Sequence, residues 1–459
     1  MSLTIILWLA LFGLFSVLAF FRPAWGVVLY MLSYFLAPMS WWWGKPVENI
    51  RWNLYSGIIL LASVLFHWIQ GRTAKSSSRL TSWILVVGIL IFLNATVVHF
   101  VLAPNIEVSD RRYWLLVKFV VLFLLIVYSA RSRFDLRIIL LSIIIGAAYI
   151  GYETSWNQRG NIKGNRLESI GASSASTAND LANLMVTILP MTGAFFLAGN
   201  KWERAAMVVS APLILNVILL CNSRGAFLGC FAVCITILFN TPPQIRIKII
   251  KLLCLGFIAL WILLGDPKIL QRFETTFNSA EMRDHSASSR LDYWKAGLMV
   301  IADHPIGSGG DGFSRVHGPK YIKYVDGEDF QRRSVHNGFI NEACEWGLQG
   351  FVLRLLFLIG PLFLLRNSAK IYSKHHDHFA TVLSVTMMAS IIGFSVQSTF
   401  GDFLDNEWSY WIVAISILVH CSHCGISNDR NRRSYTNNIS FQSCETRNNF
   451  EREIYFPTK

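Results

Sequence analysis

The chain has 459 residues, 53% of them hydrophobic and only 15% charged, with a formal net charge of +13. A soluble chain carries about 25% charged residues, so a soluble globular enzyme is excluded. Recurring apolar runs fit helices of about 20 residues crossing a bilayer core of roughly 30 Å. A membrane barrel, which reads as short alternating segments, is excluded too.

The expected architecture is an all-α polytopic membrane protein of about 12-13 transmembrane helices, with one large external loop containing short helices. Spans are expected near 3–21, 24–40, 54–70, 82–103, 113–129, 134–152, 177–198, 204–221, 225–240, 247–264, 337–365, 379–398 and 407–422. Arg22-Pro23 splits a short first pair, so one of that pair is a candidate re-entrant segment. The first run lacks a basic leader and a small-residue cleavage site, and it reads as a span rather than a signal. The run "WWWGKP", 41–46, reads as an aromatic belt at the interface.

Basic residues in short connections set orientation. Arg72, Lys75 and Arg79, then Arg131, Arg133 and Arg137, then Lys201 and Arg204, then Arg246, Lys248 and Lys251, then Arg366, Lys370 and Lys374 all follow odd-numbered spans, which places those loops in the cytoplasm. "TFGDFLDNE", 399–407, has three acids and no base, as an outer turn should. Arg159, Lys163 and Arg166 cluster on the outer side against this trend, and topology does not account for them.

The organisation expected is an amino-terminal membrane unit 1–264, an outer loop 265–336, a carboxy-terminal membrane unit 337–424 and a disordered cytoplasmic tail 425–459. The outer segment 265–335 holds ten Lys/Arg and ten Asp/Glu, so the surplus positive charge lies elsewhere, mainly in the inner turns. That pattern points to topology and anionic lipid, and away from nucleic acid. "HCSHC", 420–424, offers two thiols and two imidazoles, but the second ligand pair usual for zinc is missing. No phosphate-binding loop, metalloprotease motif or DxD pair is present, and "GSGGDG", 307–312, reads as a loop turn.

Several outer-face charges stand where hydropathy does not explain them. Arg224 sits in a three-residue hairpin within "LLCNSRGAFLG", 219–229; Arg166 lies in "NQRGNIKGNRLESIGASSASTANDLA", 157–182; and Arg290 opens an amphipathic helix with Leu291, Trp294, Leu298 and Met299 on one face. A guanidinium fork grips two phosphate oxygens at once, so three converging arginines suit a lipid diphosphate, although a lone arginine at a membrane surface equally suits headgroups. His336 ends the polar loop at the mouth of a membrane helix, where an imidazole can handle a proton, and Asn337 is placed to cap that helix. Asp402 and Asp405 are expected to form a solvated acidic turn, with a role beside the acceptor as the alternative.

The array "SRLDYWKAGLMVIADHPIGSGGDGFSRV…HNGFINEACEWGLQGF", 289–351, together with "NSRGAFLG", resembles the signature region of the bacterial O-antigen ligase and polymerase family, with Gly347 and Gly350 as its spaced helix glycines. The resemblance is strong over the second half of the chain and rests on hydropathy alone in the first. It implies a metal-independent, cofactor-free, inverting membrane glycosyltransferase of the bacterial inner membrane. Such an enzyme takes a glycan from undecaprenyl diphosphate on the periplasmic face and passes it, as an O-antigen ligase, to lipid A-core. The residues it carries over are Arg224, Arg290 and His336, with Arg166 matching by position only; Arg224, Arg290 and Arg166 would hold the diphosphate, and Asp402, Asp405 and Asn337 would stand on the acceptor side.

A polymerase of the same family shares the donor and differs in the acceptor; the single outer loop of moderate length favours the ligase by analogy. A protein-glycosylating relative would carry an added carboxy-terminal domain. A transporter of an anionic substrate would show inverted repeats, and none is visible.

Overall fold

In a computed structural model, described over residues 2–71, 79–163, 166–264, 280–326 and 333–422, the chain is an all-α polytopic membrane protein. Its helices are α1 (Leu3–Phe21), α2 (Pro23–Phe35), α3 (Trp52–Ile69), α4 (Arg79–Val97), α5 (Ile106–Ser129), α6 (Arg133–Ser155), α7 (Ala178–Ala198), α8 (Lys201–Cys221), α9 (Arg224–Asn240) and α10 (Pro243–Leu264). After these come α11 (Ala280–Asp303) and α12 (Gly318–Asp326) in the outer segment, then α13 (Gly338–Lys374), α14 (His378–Ser398) and α15 (Trp408–Ser422). Among the described residues, nine helices are long and apolar enough to cross a membrane, and α9 and α15 are shorter apolar helices. Each of the thirteen expected spans is helical. The tail 425–459, with His423 and Cys424, lies outside the described residues; His420 bonds Ser368 Oγ through Nδ1 at 2.9 Å.

Local chemistry starts these helices. Ser132 and Asp135 form a capping box on α6, Asn200 and Glu203 form another on α8, and Thr177 caps α7. The core is α14, packed against α7, α9 and α13, with α15 buried along its length. α2 is buried but has only 13 residues, about 20 Å of rise, and cannot cross alone. Its expected extent to residue 40 stops at Phe35, ahead of Pro38, and Trp41 Nε1 donates to Phe35 O at 3.0 Å over its end. Trp41 and Trp43 are therefore buried, and only Trp42 lies outside, beneath the Arg159 guanidinium at 4.2 Å. The expected aromatic belt reduces to that one residue.

The two ends of the bundle are chemically distinct. Arg22–Asp135 (3.4 Å), Arg133–Asp377 and Arg137–Glu203 tie the connections after odd-numbered spans together at one end. At the other end Asn53 meets Ser173, Ser223 meets Asn179, and Asn406 meets Asp180. At that second end β1 (Asn161–Lys163) and β2 (Arg166–Glu168) form an antiparallel hairpin in which Lys163 pairs with Arg166.

α13 differs most from expectation. It breaks at Gly347 (φ 80°, ψ 172°), so a short segment, Gly338 to Trp346, precedes a long spanning one. Only glycine occupies that backbone region without strain. A Cβ there would stand 2.5 Å from Ile306 C and O. The backbone groups freed by the break are met from outside the helix: Ser308 and Gly309 amides donate to Glu345 O, Leu348 N donates to Pro305 O, and Asn94 Nδ2 donates to Trp346 O. The glycine-rich run is thus a turn, as expected, and it is also the external cap of this break. Gly347→Ala is expected to cost about 1–3 kcal/mol, read as a lowered thermal midpoint of the detergent-solubilised protein.

Candidate active site

The arginine turn is tighter than the three-residue hairpin expected. Asn222 is left-handed (φ 46°, ψ 52°) and closes α8, Ser223 stands at the N-cap position of α9 without capping it through its side chain, and Arg224 is already helical. Ser223 Oγ donates to Asn179 Oδ1 at 2.9 Å, and Arg166 Nη2 reaches the same oxygen. Arg166 Nε also donates to Cys221 O at 3.1 Å, so this guanidinium braces α7 and α8 beneath the Arg224 turn. Arg290 is half-buried within α11 rather than at its start. Its pKa is lowered by burial first and then by the charges of Arg166 and Arg224, which places the three guanidinium groups in one field. The face of α11 that packs is Tyr293, Ala296 and Val300; Leu291, Leu298 and Met299, expected to share an apolar face, are exposed.

His336 stands beside this cluster in a left-handed backbone (φ 55°). Residues other than glycine rarely adopt that conformation, and His, Asn and Asp are the usual exceptions. Tyr293 of α11 presents its ring perpendicular to the imidazole, with centroids 6.3 Å apart. Burial, then Arg290 and Arg333, push the His336 pKa down to about 4, so the ring is neutral at pH 7. Asn337 caps α13 as expected, accepting from Phe339 N (3.0 Å) and Ile340 N (3.2 Å). The Ser334 hydroxyl and the Asn337 amide donate to Asp402, whose pKa burial nonetheless raises to about 6.

The acidic turn is not solvated, contrary to expectation. Asp405 is 11% exposed; it pairs with Arg112 Nη1 at 3.2 Å and accepts from Asn341 Nδ2 at 3.2 Å. The reason is a set of charges that hydropathy hid. Arg112 Nε reaches Asp311 Oδ1 at 3.0 Å, and Asp311 N donates to Glu345 Oε1 at 3.0 Å. Arg354 Nε pairs with Glu342 Oε1 at 3.2 Å, and Arg354 Nη2 donates to Tyr410 OH at 2.7 Å, with both charged side chains buried. Their signal lay in the sequence: Glu342, Glu345 and Arg354 are ionisable residues inside an apolar helix, which is uncommon unless they are paired or functional. The turn therefore belongs to two clusters, through Asp402 toward His336 and through Asp405 toward Arg112.

An uncharacterized protein of Haemophilus influenzae is 26% identical over 192 residues, covering 39% of this chain and 48% of that protein. The chain thus spans about half the length of the curated relative it matches. Residues 209–355 match the model of the family described as O-antigen ligase, a stretch that holds Arg224, Arg290, His336 and the break at Gly347. That stretch, about a third of the chain, is what this protein has in common with the O-antigen ligase family.

Proposed function

We propose that this protein is an O-antigen ligase of the bacterial inner membrane, moving a glycan from undecaprenyl diphosphate to lipid A-core at the periplasmic end of the bundle. The observation that carries the reading is the meeting of Arg166, Arg224 and Arg290 with a neutral His336 at one end. The bond between the anomeric carbon and the diphosphate breaks, and negative charge grows on the departing phosphate oxygens. Arg224 and Arg290 stabilise that charge in a site already organised for it, and Arg166 braces them. This supplies the positive charge that a divalent metal gives elsewhere, so the transfer needs none. His336 takes the acceptor hydroxyl's proton, the acceptor oxygen attacks the opposite face, and the anomeric centre inverts. Asp402 holds the turn that presents His336.

Deletion of the gene followed by a lipopolysaccharide gel tests this reading. Loss of long-chain and single-repeat bands, with polymer accumulating on the lipid carrier, is the expected result. Retention of the single-repeat band would make the protein a polymerase instead. The topology has its own test in a cysteine-free background. Lys163→Cys and Lys295→Cys, both exposed at the proposed outer end, should label with an impermeant thiol reagent in intact spheroplasts. Lys201→Cys, exposed at the opposite end, should label only after lysis, and the reverse pattern would invert the protein.

A further inference from the structure

A cavity lies between α5, the short segment of α13 and the start of α15, walled by Arg112, Glu345, Arg354, Asp405 and Tyr410 on its polar sides and by Leu115 among its apolar ones. Two of these lining residues each keep one buried polar atom that meets no hydrogen-bond partner in the protein: Glu345 Oε2, an acceptor, and Arg354 Nη1, a donor. Buried polar groups are almost always satisfied, and each one left unmet calls for a partner from outside the chain. The missing partner must both donate and accept, because the two atoms have opposite needs. A neutral partner fits best, because both guanidinium groups on the wall are already paired with carboxylates, Arg112 with Asp405 and Arg354 with Glu342. A hydroxyl group meets both conditions, whereas a phosphate, which suits the arginine cluster, meets neither. The space admits about one or two water-sized groups and not a whole sugar ring.

Position links this cavity to the reaction. Asn337, Asn341 and Glu345 recur every four residues on one face of the short helix that His336 precedes. Asn337 meets Asp402 through its amide, Asn341 meets Asp405, and Glu345 reaches the cavity, about 12 Å along the axis from Asn337. We propose that the cavity is an acceptor subsite: it takes a hydroxyl from the edge of the acceptor glycan while another hydroxyl of that glycan lies at His336. The proposal rests on the transferase reading above and adds where the acceptor is gripped. It predicts that donor and acceptor recognition are separable, with Arg224 and Arg290 serving the diphosphate and the unmet atoms of Glu345 and Arg354 serving the sugar.

The test uses the full-length protein in nanodiscs, purified undecaprenyl-diphosphate-linked glycan as donor, and either O-antigen-free lipopolysaccharide or a second lipid-linked repeat as acceptor. Glu345→Gln keeps an oxygen for the Asp311 amide while turning the cavity-facing acceptor into a donor. Leu115→Phe fills part of the cavity without touching a charge. Both should raise the acceptor KM about tenfold or more, the effect of one lost hydrogen bond to a charged group, with the donor KM and the thermal midpoint unchanged. A lowered thermal midpoint with both KM values intact assigns the cavity to structure alone and overturns the subsite. So does a rise in donor KM, or a kcat that falls with acceptor KM unchanged. Wild-type protein that transfers to neither acceptor removes the transferase reading itself, and the subsite with it; normal transfer with insensitive variants removes only the subsite.

Discussion

His336→Ala is expected to lower turnover by about 10²–10⁴-fold, the range a positioned proton-handling group contributes, while undecaprenyl diphosphate binding stays within a few-fold. The backbone needs a control, because His336 is left-handed (φ 55°) and alanine tolerates that region poorly. His336→Gly relieves the backbone while removing the same imidazole, so a deficit shared by the two variants belongs to the side chain. His336→Gln keeps a hydrogen bond but cannot accept a proton at neutral pH, and an active glutamine variant would make His336 an orienting group. The pH profile is a further check. A base works in its neutral form, and burial with Arg290 and Arg333 holds the imidazole pKa near 4 rather than its ordinary value near 6.5. The acid limb from His336 should therefore fall near pH 4, best seen in an Asp402→Asn background, because Asp402 titrates near 6. Replacing Arg290 by Gln removes a cation that opposes imidazole protonation, so the histidine pKa rises and the limb moves to higher pH. A limb that stays in place, or moves down, takes His336 out of this role.

Arg224→Lys should lose activity by about 10²–10³-fold, the scale of removing one donor aimed at developing charge, and donor binding should weaken with it. A lysine keeps the charge but not the planar fork that holds two phosphate oxygens. Arg290→Lys should behave similarly, since both guanidinium groups share the field around the same site. Arg166→Lys should act differently: its guanidinium already holds Cys221 O and Asn179, so its loss should loosen the α7–α8 end and lower the thermal midpoint along with activity. Transfer kinetics with purified lipid-linked donor, beside a binding isotherm for undecaprenyl diphosphate, separate these effects. Near-wild-type activity in Arg224→Lys would reduce that residue to a headgroup anchor.

The amino-acid sequence by itself determined the class of this protein, because apolar runs long enough to cross a bilayer have few other stable fates. It also placed the helix starts whose signals are local, such as the Asn337 cap and the Ser223–Arg224 turn between α8 and α9. His336 and the three arginines were legible as charges standing where hydropathy alone would not put them. Tertiary structure decided what those signals could not reach. Gly347 reads as a spaced helix glycine and proves to be the break in α13, because its φ of +80° depends on the segment from Pro305 to Gly309 arriving to meet the freed carbonyls. Asp405 reads as solvated and is buried, because its partner Arg112 lies 293 positions away in the chain (405 − 112) and no local pattern joins them. Trp41 and Trp43 read as an interfacial belt and are packed inside, because α2 is too short to carry them to the membrane surface. Periodicity and capping act over a few residues and survive in the sequence. Which charges pair, and which polar face is covered, is settled by contacts between distant segments, and those exist only once the helices have packed.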